Sequence, residues 1–303
     1  MRFSVWPNPA QPWESVLECA RHAEATGWDG VWFADHFMTN TGTREPADGP
    51  MLECWAVLAG LAAAVPRVRL GSLVCGNTYR HPAVLAKQAA AVDTISGGRL
   101  VLGLGAGWQE NEHRAYGIEF PAVGERMDRL EEACQVVLGL LREPRTTVAG
   151  RHYQVTDAPA DPKPVSSPLP LLIGGGGEKR TMRIAARYAD EWNVWGTPEV
   201  LRQKGGVLER HCADLDRDPA AIARSAQALL FLSEDESWLS KRRDSDVGRA
   251  SIVGTPDEVA EIVAAYAEAG VDELILPDFT MGDPQRRADT YDLFKERVMP
   301  QVS

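Results

Sequence analysis

The stretch RLVLGLGAGWQENEHRAY, residues 99–116, decides the fold of this chain. Its apolar run from Leu100 to Leu104 predicts a short buried strand. The run leads into Gly105-Ala106-Gly107, where the backbone is nearly bare and a flat or phosphorylated ligand can approach the peptide plane. A run of polar residues, 109–114, follows directly. A buried strand that leads to bare backbone and then to ionisable side chains is typical of sites in α/β enzymes.

The glycines of this stretch do not form a dinucleotide-binding fingerprint. Gly103, Gly105 and Gly107 give G-x-G-x-G, but Trp108 stands where G-x-G-x-x-G requires its last glycine. No apolar-periodic helix begins after these glycines either. A Rossmann turn is therefore disfavoured.

Strands and helices alternate along the whole chain. The predicted strands are 2–6, 31–34, 67–74, 100–104, 169–173, 191–195, 224–232 and 271–276. The predicted helices are 13–25, 51–65, 82–96, 123–141, 178–188, 198–211, 256–269 with Thr255 as its N-cap, and 283–298. This alternation predicts a (β/α)8 TIM barrel. The alternative is a doubly wound sheet, which would more naturally carry its glycine turn after the first strand than after strands four and five.

Two segments interrupt this pattern. Residues 143–168 hold five prolines and two β-rich runs on either side of Gly150, which predicts a small hairpin. Residues 233–250 are highly charged and form either a lid over the site or a solvated surface loop. We therefore predict one domain over residues 1–303, with insertions near 143–168 and 233–250.

Composition narrows the class of partner. A net charge of −11 argues against nucleic acid and anionic membranes. The five cysteines are scattered without a C-x-x-C pair, so no disulfide framework and no metal site is indicated, and a reducing cytoplasm fits. The chain starts with a strand rather than a signal peptide, and its longest apolar run, 56–65, is too short to span a bilayer. We predict a cytoplasmic protein that acts on a small molecule.

The carboxyl ends of the predicted strands bring a candidate site together. In a barrel these ends share one face, so residues far apart in sequence meet there. The candidates are Asp35, His36, Leu73, Val74, Cys75, Asn77, Gly105, Ala106, Gly107, Trp108, Glu112, Gly174, Gly175, Gly176, Gly177, Trp195 and Gly196.

His36 is the first candidate acid or base, because histidine ordinarily titrates at a pKa of about 6.5, close to neutrality. A hydrogen-bonded structural histidine is the alternative. Glu112 is the second candidate, and a loop carboxylate paired with Arg114 or another local cation is its alternative. Asp35 either belongs to the site or caps the loop backbone.

The glycine run 174–177 precedes a predicted helix, whose backbone N–H groups suit a phosphate. A flexible loop is the alternative. Lys179 and Arg180 either add positive charge to that site or face solvent.

Five segments together carry a resemblance to a known family. They are GWDGVWFADH (27–36), RLGSLVCGNTYRHPAV (69–84), ISGGRLVLGLGAGW (95–108) with HRAYG (113–117), PLLIGGGGEKRT (170–181) and YADEWN (188–193). The chain resembles the luciferase-like monooxygenase superfamily, and within it the branch that uses the deazaflavin coenzyme F420.

The resemblance implies a TIM barrel that holds a flavin-type ring in its mouth. It implies a non-prolyl cis peptide bond between Leu73 and Val74, which presses an apolar side chain against the back of the ring. Asp35 and His36 match the pair at the ring edge. The segments 105–108 and 174–177 match ring, ribityl and phosphate contacts, and Trp195 with Gly196 matches the lining of the cofactor tail.

Two departures bear on the substrate. In F420-dependent sugar and alcohol dehydrogenases of the family an acidic residue follows the fourth-strand glycines, whereas this chain has Trp108. The family's tryptophan after the Asp-His pair is also missing, because Phe37, Met38 and Thr39 stand there. These departures favour a substrate other than a sugar or an alcohol.

The resemblance implies an oxidoreductase in which F420 exchanges hydride with a small organic substrate and His36 acts as acid or base. An FMN-dependent monooxygenase supplied by a flavin reductase is the first alternative, and a flavin-binding protein without turnover is the second. The superfamily habit implies a homodimer, and the F420 reading allows a reductase as electron donor.

Overall fold

The strands and helices alternate as the sequence predicts in the computed structural model, which describes residues 1–243, 245 and 247–302. The strands are β1 Arg2–Trp6, β2 Gly30–Phe33, β3 Arg69–Ser72, β4 Cys75–Gly76, β5 Leu100–Gly105, β6 Thr146–Ala149, β7 Gln154–Ala158, β8 Leu171–Gly174, β9 Glu191–Trp195, β10 Ala223–Gln227, β11 Leu229–Leu232, β12 Ser251–Gly254 and β13 Glu273–Pro277. The α-helices are α1 Trp13–Thr26, α2 Cys54–Ala64, α3 Pro82–Ser96, α4 Glu110–Ala115, α5 Val123–Arg142, α6 Thr181–Tyr188, α7 Pro198–Asp214, α8 Glu236–Arg243, α9 Pro256–Glu268 and α10 Pro284–Arg297.

Parallel strands close a barrel. In the described part of the chain the order around it is β1, β2, β3, β5, β8, β9, β10 and β13, and β13 pairs with β1 again. The helices that follow these strands pack on the outside, where one apolar core joins them to the sheet. The predicted (β/α)8 barrel is therefore confirmed, and the doubly wound sheet was the wrong alternative.

The barrel interior has an apolar core of its own. It is formed by Trp6, Trp32, Ala34, Leu73, Val101, Leu172 and Ile275. Trp32 projects across the barrel against β3, where Gly71 lies beneath its indole ring and a Cβ would overlap the ring. Glycine at 71 is thus required by packing, and the interior is filled with side chains rather than open.

A buried ionic network closes the amino-terminal end of the barrel. Glu273 accepts hydrogen bonds from Ser4 Oγ at 2.6 Å and from Trp32 Nε1 at 2.8 Å. The Arg69 guanidinium bridges Glu273 and Glu191. Because Glu273, Glu191 and Arg69 are the first residues of their strands, the network lies opposite to the candidate site and leaves the other end free for function.

Several element boundaries differ from the prediction. The third strand is interrupted after Ser72 and resumes at Cys75, so it does not run unbroken to Val74. The seventh strand is divided at Ala228, and its second half leaves the barrel to pair with β12. The short helix α4 follows the fourth-strand glycines, where no helix was predicted, because six residues are too few to show an apolar period.

Other helix boundaries follow their capping residues. Thr255 precedes α9 and Pro256 is its first residue, as predicted from the sequence. The Glu258 carboxylate accepts from the Thr255 backbone N–H at 2.8 Å, which completes a capping box. In the described residues no helix is both long and apolar enough to cross a membrane.

The two predicted interruptions have different outcomes. The hairpin is present as β6 and β7, an antiparallel pair. The Glu132 carboxylate of α5 accepts from three backbone N–H groups at its turn, those of residues 151–153. The segment 233–250 is not a plain loop, because it contains α8. Asp244 and Asp246 of that segment lie outside the described residues.

Candidate active site at the mouth of the barrel

A cavity of about 1280 Å³ opens at the carboxyl ends of the barrel strands. The structure brings most of the predicted site residues into its wall. These are Asp35, His36, Leu73, Val74, Cys75, Gly105, Ala106, Gly107, Trp108, Gly174, Gly175, Gly176, Trp195 and Gly196. Typical small-molecule sites are about 300–1,000 Å³, so this cavity is larger than a site for a single small molecule usually is.

Three predicted residues lie elsewhere. Asn77 is buried behind the wall, where its Nδ2 donates to Tyr153 Oη at 3.2 Å. Gly177 is exposed beside Thr181, beyond the last glycine of the cavity wall. Glu112 is fully buried behind His36, so it reaches the cavity only through the imidazole.

One wall of the cavity is made of glycines packed on Val74. A Cβ at Gly103 would lie 2.0 Å from Ser72 O and 2.9 Å from Val74 Cγ1, and a Cβ at Gly105 would lie 2.9 Å from Val74 Cγ2. A Cβ at Gly174 would lie 2.8 Å from Cγ2. The glycines of β5 and β8 therefore do more than leave backbone bare for a ligand, since their missing side chains make room for the Val74 isopropyl group.

Val74 reaches this position through an irregular backbone. The peptide bond between Leu73 and Val74 is cis, as predicted. Leu73 N–H still donates to Phe33 O at 2.8 Å, and the ladder with β5 resumes at Cys75. Val74 thus stands out of the ladder, half-buried, with its side chain in the cavity wall.

His36 is held by a buried carboxylate. Its Nδ1 lies 2.8 Å from Glu112 Oε1, and because a carboxylate only accepts, Nδ1–H donates. Glu112 also accepts from the backbone N–H groups of Phe37 at 2.6 Å and Met38 at 3.3 Å, and from Tyr79 Oη. Burial alone would raise the pKa of Glu112, but the hydrogen bond and charge of His36, followed by Tyr79 and Phe37, bring that pKa below its ordinary value. The predicted alternative, a pair with Arg114, is absent.

Asp35 holds the backbone that follows Val74. Its carboxylate accepts two hydrogen bonds from Arg80, at 2.6 and 2.9 Å, and one from the Gly76 N–H at 3.2 Å. Burial raises the pKa of Asp35, and the opposing hydrogen bond and charge of Arg80 offset only part of that effect. Asp35 thus anchors β4 to the barrel.

The glycine run after β8 is tied on both sides. The Gly175 N–H donates to Asn193 O at 2.9 Å, and Gly175 O accepts from Trp192 Nε1 at 2.9 Å. Its φ of 123° is one that side chains rarely permit. The run is therefore a fixed part of the wall, which disfavours the flexible-loop alternative.

The cations after this run do not line the cavity. Arg180 pairs with Asp128 at 2.6 Å and donates to Gly124 O, so it faces α5. Lys179 is exposed. The Lys179 and Arg180 side chains therefore add no charge to this part of the wall.

Aromatic side chains occupy two places around the mouth. Trp108 is 55% exposed, and its ring meets the His36 ring edge to face with centroids 5.5 Å apart. On the other side, Trp195 lies 5.8 Å from Trp6, and the Arg249 guanidinium lies 4.7 Å from the Trp195 ring.

The predicted site does not include some residues that the structure places there. Tyr79 and Arg80 lie within the quoted segment 69–84, where their neighbours drew attention instead. Trp6 stands at the end of the first strand, a position that by itself signals a barrel mouth. Arg249 lies near the end of the charged segment 233–250, and nothing in its local sequence distinguishes it from the other arginines there.

Known proteins resemble the chain in sequence and in structure. The family model described as luciferase-like monooxygenase matches residues 1–243. The F420-dependent glucose-6-phosphate dehydrogenase of Kineococcus radiotolerans is 36% identical over an alignment that covers 86% of this chain and 86% of that protein. The enzyme of the same name from Amycolatopsis mediterranei is 33% identical over an alignment that covers 95% of this chain and 94% of that protein.

A solved structure shows the same fold. It is that of an F420-dependent secondary alcohol dehydrogenase in complex with an F420–acetone adduct, which has a TM-score of 0.84 and 20% identity. The match covers 100% of this chain and 99% of that chain. With the family model and the two relatives, it confirms the resemblance predicted from the motifs. The chain belongs to the luciferase-like monooxygenase family, in the branch that holds the F420-dependent glucose-6-phosphate dehydrogenases.

Proposed function

We propose that the chain is an oxidoreductase that uses coenzyme F420 to exchange hydride with a small organic substrate, with His36 as the acid or base. The observation that carries this proposal is the meeting, in one cavity, of the glycine wall packed on Val74 with an imidazole held by Glu112. The wall suits the face of a planar ring, and the imidazole suits proton transfer beside it. The names of the relatives favour F420 over FMN.

The residues present fit a deazaflavin. Val74 would support the ring from behind, and the backbone at Gly105–Gly107 and Gly174–Gly176, which lines the cavity, would lie along the ring and its chain. Trp195 and Gly196 would line the tail. The cavity of about 1280 Å³ leaves room for a substrate next to the cofactor.

The chain itself supplies position and proton transfer. F420, when bound, supplies the centre that accepts or donates hydride. Because Nδ1–H of His36 is engaged by Glu112, Nε2 is the nitrogen left to hold or release a proton at a substrate atom. The Trp108 ring meets this imidazole edge to face and gives it an apolar neighbour at the mouth.

We further propose that glucose 6-phosphate is not the substrate. Trp108 stands where the sugar and alcohol enzymes of the family carry an acid, and an indole cannot exchange a proton in turnover. The exposed indole beside His36 instead offers an apolar surface to the substrate. Turnover of glucose 6-phosphate at the rate of its other substrates would contradict this part of the proposal.

Binding of the cofactors to the purified chain tests the proposal. We expect saturable binding of F420, followed by its absorbance and fluorescence, and no comparable binding of FMN. His36→Asn should bind F420 as the wild type does but lose about 100-fold or more in turnover, since general acid–base groups contribute about 10²–10⁴-fold. Tight FMN binding without F420 binding would overturn the cofactor assignment.

The alternatives predict other results. An FMN-dependent monooxygenase would bind reduced FMN from a partner reductase and consume oxygen. A flavin-binding protein without turnover would bind a ring but show no activity that depends on His36. Neither alternative accounts for the F420-dependent relatives.

We also propose that the chain is a single luciferase-like domain that acts in the cytoplasm as a homodimer, with a reductase as the source of electrons. The five cysteines are buried and free, which suits a reducing compartment. The segment 233–250 remains a proposed lid: residues 248–250 line the cavity, and α8 is outside it. Light scattering of the purified chain tests the dimer, and a monomeric mass would contradict it.

A further inference from the structure

Glu112 has more hydrogen-bond donors than an acid/base pair with His36 requires. Its Oε2 accepts from two backbone N–H groups, those of Phe37 and Met38. Its Oε1 accepts from His36 Nδ1 and also from Tyr79 Oη. A carboxylate has about four lone-pair sites, so these donors occupy all of them. The side chain is buried and is held in its ionised form by this set.

Tyr79 is built into this place. Its ring packs between Phe37, at 4.7 Å between centroids, and His113, at 4.8 Å. Gly76 lies against the ring, where a Cβ would come within 2.6 Å of Tyr79 Cε2. Burial, followed by the charge and hydrogen bond of Glu112, raises the pKa of Tyr79, so the phenol stays protonated and donates.

We propose that Tyr79 is a positioning residue for His36. By donating to the oxygen that also accepts from His36, Tyr79 takes up part of the carboxylate's charge and so sets the pH at which the imidazole gains its proton. This proposal rests on the proposed function only for the role of His36 in turnover. The hydrogen bonds that join His36, Glu112 and Tyr79 belong to the protein without cofactor.

The other charged groups near His36 are already engaged. Asp35, its neighbour in sequence, is paired with Arg80. His113 has Nδ1 2.6 Å from Gln109 O and Nε2 2.7 Å from Thr78 Oγ1, and burial lowers its pKa, so it stays neutral near pH 7. The remaining facing ring, Trp108, does not ionise. Among the described residues Glu112 is therefore the carboxylate through which the surroundings act on the imidazole.

Two substitutions should move the His36 titration in opposite directions. Glu112→Gln removes a negative charge beside the imidazole, so its titration midpoint should fall by about 1–3 pH units. Tyr79→Phe removes a donor from the carboxylate and leaves its charge more available to the imidazole, so the midpoint should rise by roughly half a unit. If Tyr79 only filled space, Tyr79→Phe would not shift the His36 midpoint in the direction opposite to Glu112→Gln.

Proton NMR of the cofactor-free protein measures both shifts directly. The His36 ring signal is assigned by its loss in His36→Asn and is followed against pH in the wild type, Tyr79→Phe, Glu112→Gln and the double variant. Tyr116→Phe is the matched control, because Tyr116 also packs on Phe37, at 5.6 Å, but donates to a backbone carbonyl and not to Glu112. Thermal unfolding of each variant confirms that the fold is retained.

The expected result is a rise for Tyr79→Phe, a fall for Glu112→Gln, no change for Tyr116→Phe, and no additional effect of Tyr79→Phe once Glu112 is Gln. A midpoint unchanged in Tyr79→Phe, or shifted to lower pH, overturns the proposal. So does an effect of Tyr79→Phe that persists in the Glu112→Gln background. The pH profile of F420-dependent turnover should move with the NMR midpoint; if His36→Asn is fully active, the proposed function fails while the hydrogen-bond chain stands.

Discussion

The packing of glycines on Val74 gives a sharp prediction for Gly174→Ala. A Cβ at position 174 would lie 2.8 Å from Val74 Cγ2, 2.9 Å from Cγ1 and 3.4 Å from Cβ. Val74 has no simple escape by rotation, because Gly103 and Gly105 already lie against the same two methyl groups. The φ of Gly174 is outside the left-handed region, so alanine is not excluded by the backbone. The effect therefore measures side-chain packing.

The expected size follows from two opposing terms. Overpacking of a well-packed site costs about 1–3 kcal/mol. Replacement of glycine by alanine restricts the unfolded chain and returns about 0.4–1 kcal/mol. The net loss in the free energy of unfolding is then roughly 1–2 kcal/mol.

Chemical denaturation of a four-member cycle tests the reasoning. The second substitution is Val74→Ala, which removes the two methyl groups that the new Cβ would meet. The double variant should recover at least about 1 kcal/mol relative to the sum of the single variants. Gly124→Ala is the control, because no atom lies within 4 Å of its Cβ position and the residue is in α5, so it should be neutral or stabilising.

The same variants link packing to the proposed cofactor site. Gly174→Ala should weaken F420 binding, because Val74 must shift or the wall must widen, and Gly124→Ala should not. Additive free energies in the cycle would refute the packing argument. If Gly174→Ala destabilised the protein but left its affinity for F420 unchanged, the glycine wall would not be part of the cofactor site.

Two further predictions concern the buried carboxyl groups. Asp35→Asn should lower the free energy of unfolding by about 1–3 kcal/mol, since it takes the bidentate carboxylate from the largely buried Arg80 and leaves that guanidinium only its pair with Glu53, and denaturant unfolding measures this; a loss below about 1 kcal/mol would contradict the anchoring role. The folded pKa of Glu112 lies below its ordinary value of 4.5, so its ionised form stabilises the fold above that pH, and the contribution is lost as pH falls through the lowered pKa. Unfolding measured from pH 7 down to pH 3 should therefore show a steeper loss in the wild type than in Glu112→Gln, and parallel curves would contradict it.

Much of the fold could be read from the sequence because it depends on local patterns. Apolar runs, proline at helix starts and glycine at helix ends gave most strands and helices within a few residues. Two features were not predicted: α4 has six residues, too few to show an apolar period, and the apolar run that predicts the third strand continues past the break after Ser72. The cis bond between Leu73 and Val74 was predicted from the family resemblance and not from local physics.

The sequence predicts where most of the site residues lie, but it predicts few of the contacts that they make. Strand ends marked where His36, Val74 and the glycines would meet, because a barrel brings those ends together. The reason for the glycines was missed, since their contact with Val74 joins residues about 30 and 100 positions apart. Tyr79 was missed for the same reason: its hydroxyl bonds to a helix 33 positions away, a contact that no spacing in sequence encodes.

The division of the seventh strand has a consequence for how the cavity can change over evolution. β11 and β12 form a separate two-stranded sheet in the described chain, and the residues just before β12 supply one side of the mouth. The glycine wall is part of the barrel strands and packs on Val74. The side before β12, in contrast, is joined to the two-stranded sheet of β11 and β12, which is separate from the barrel sheet. Grafting the segment before β12 from a relative should therefore alter which small molecules the cavity accepts and leave the glycine wall intact.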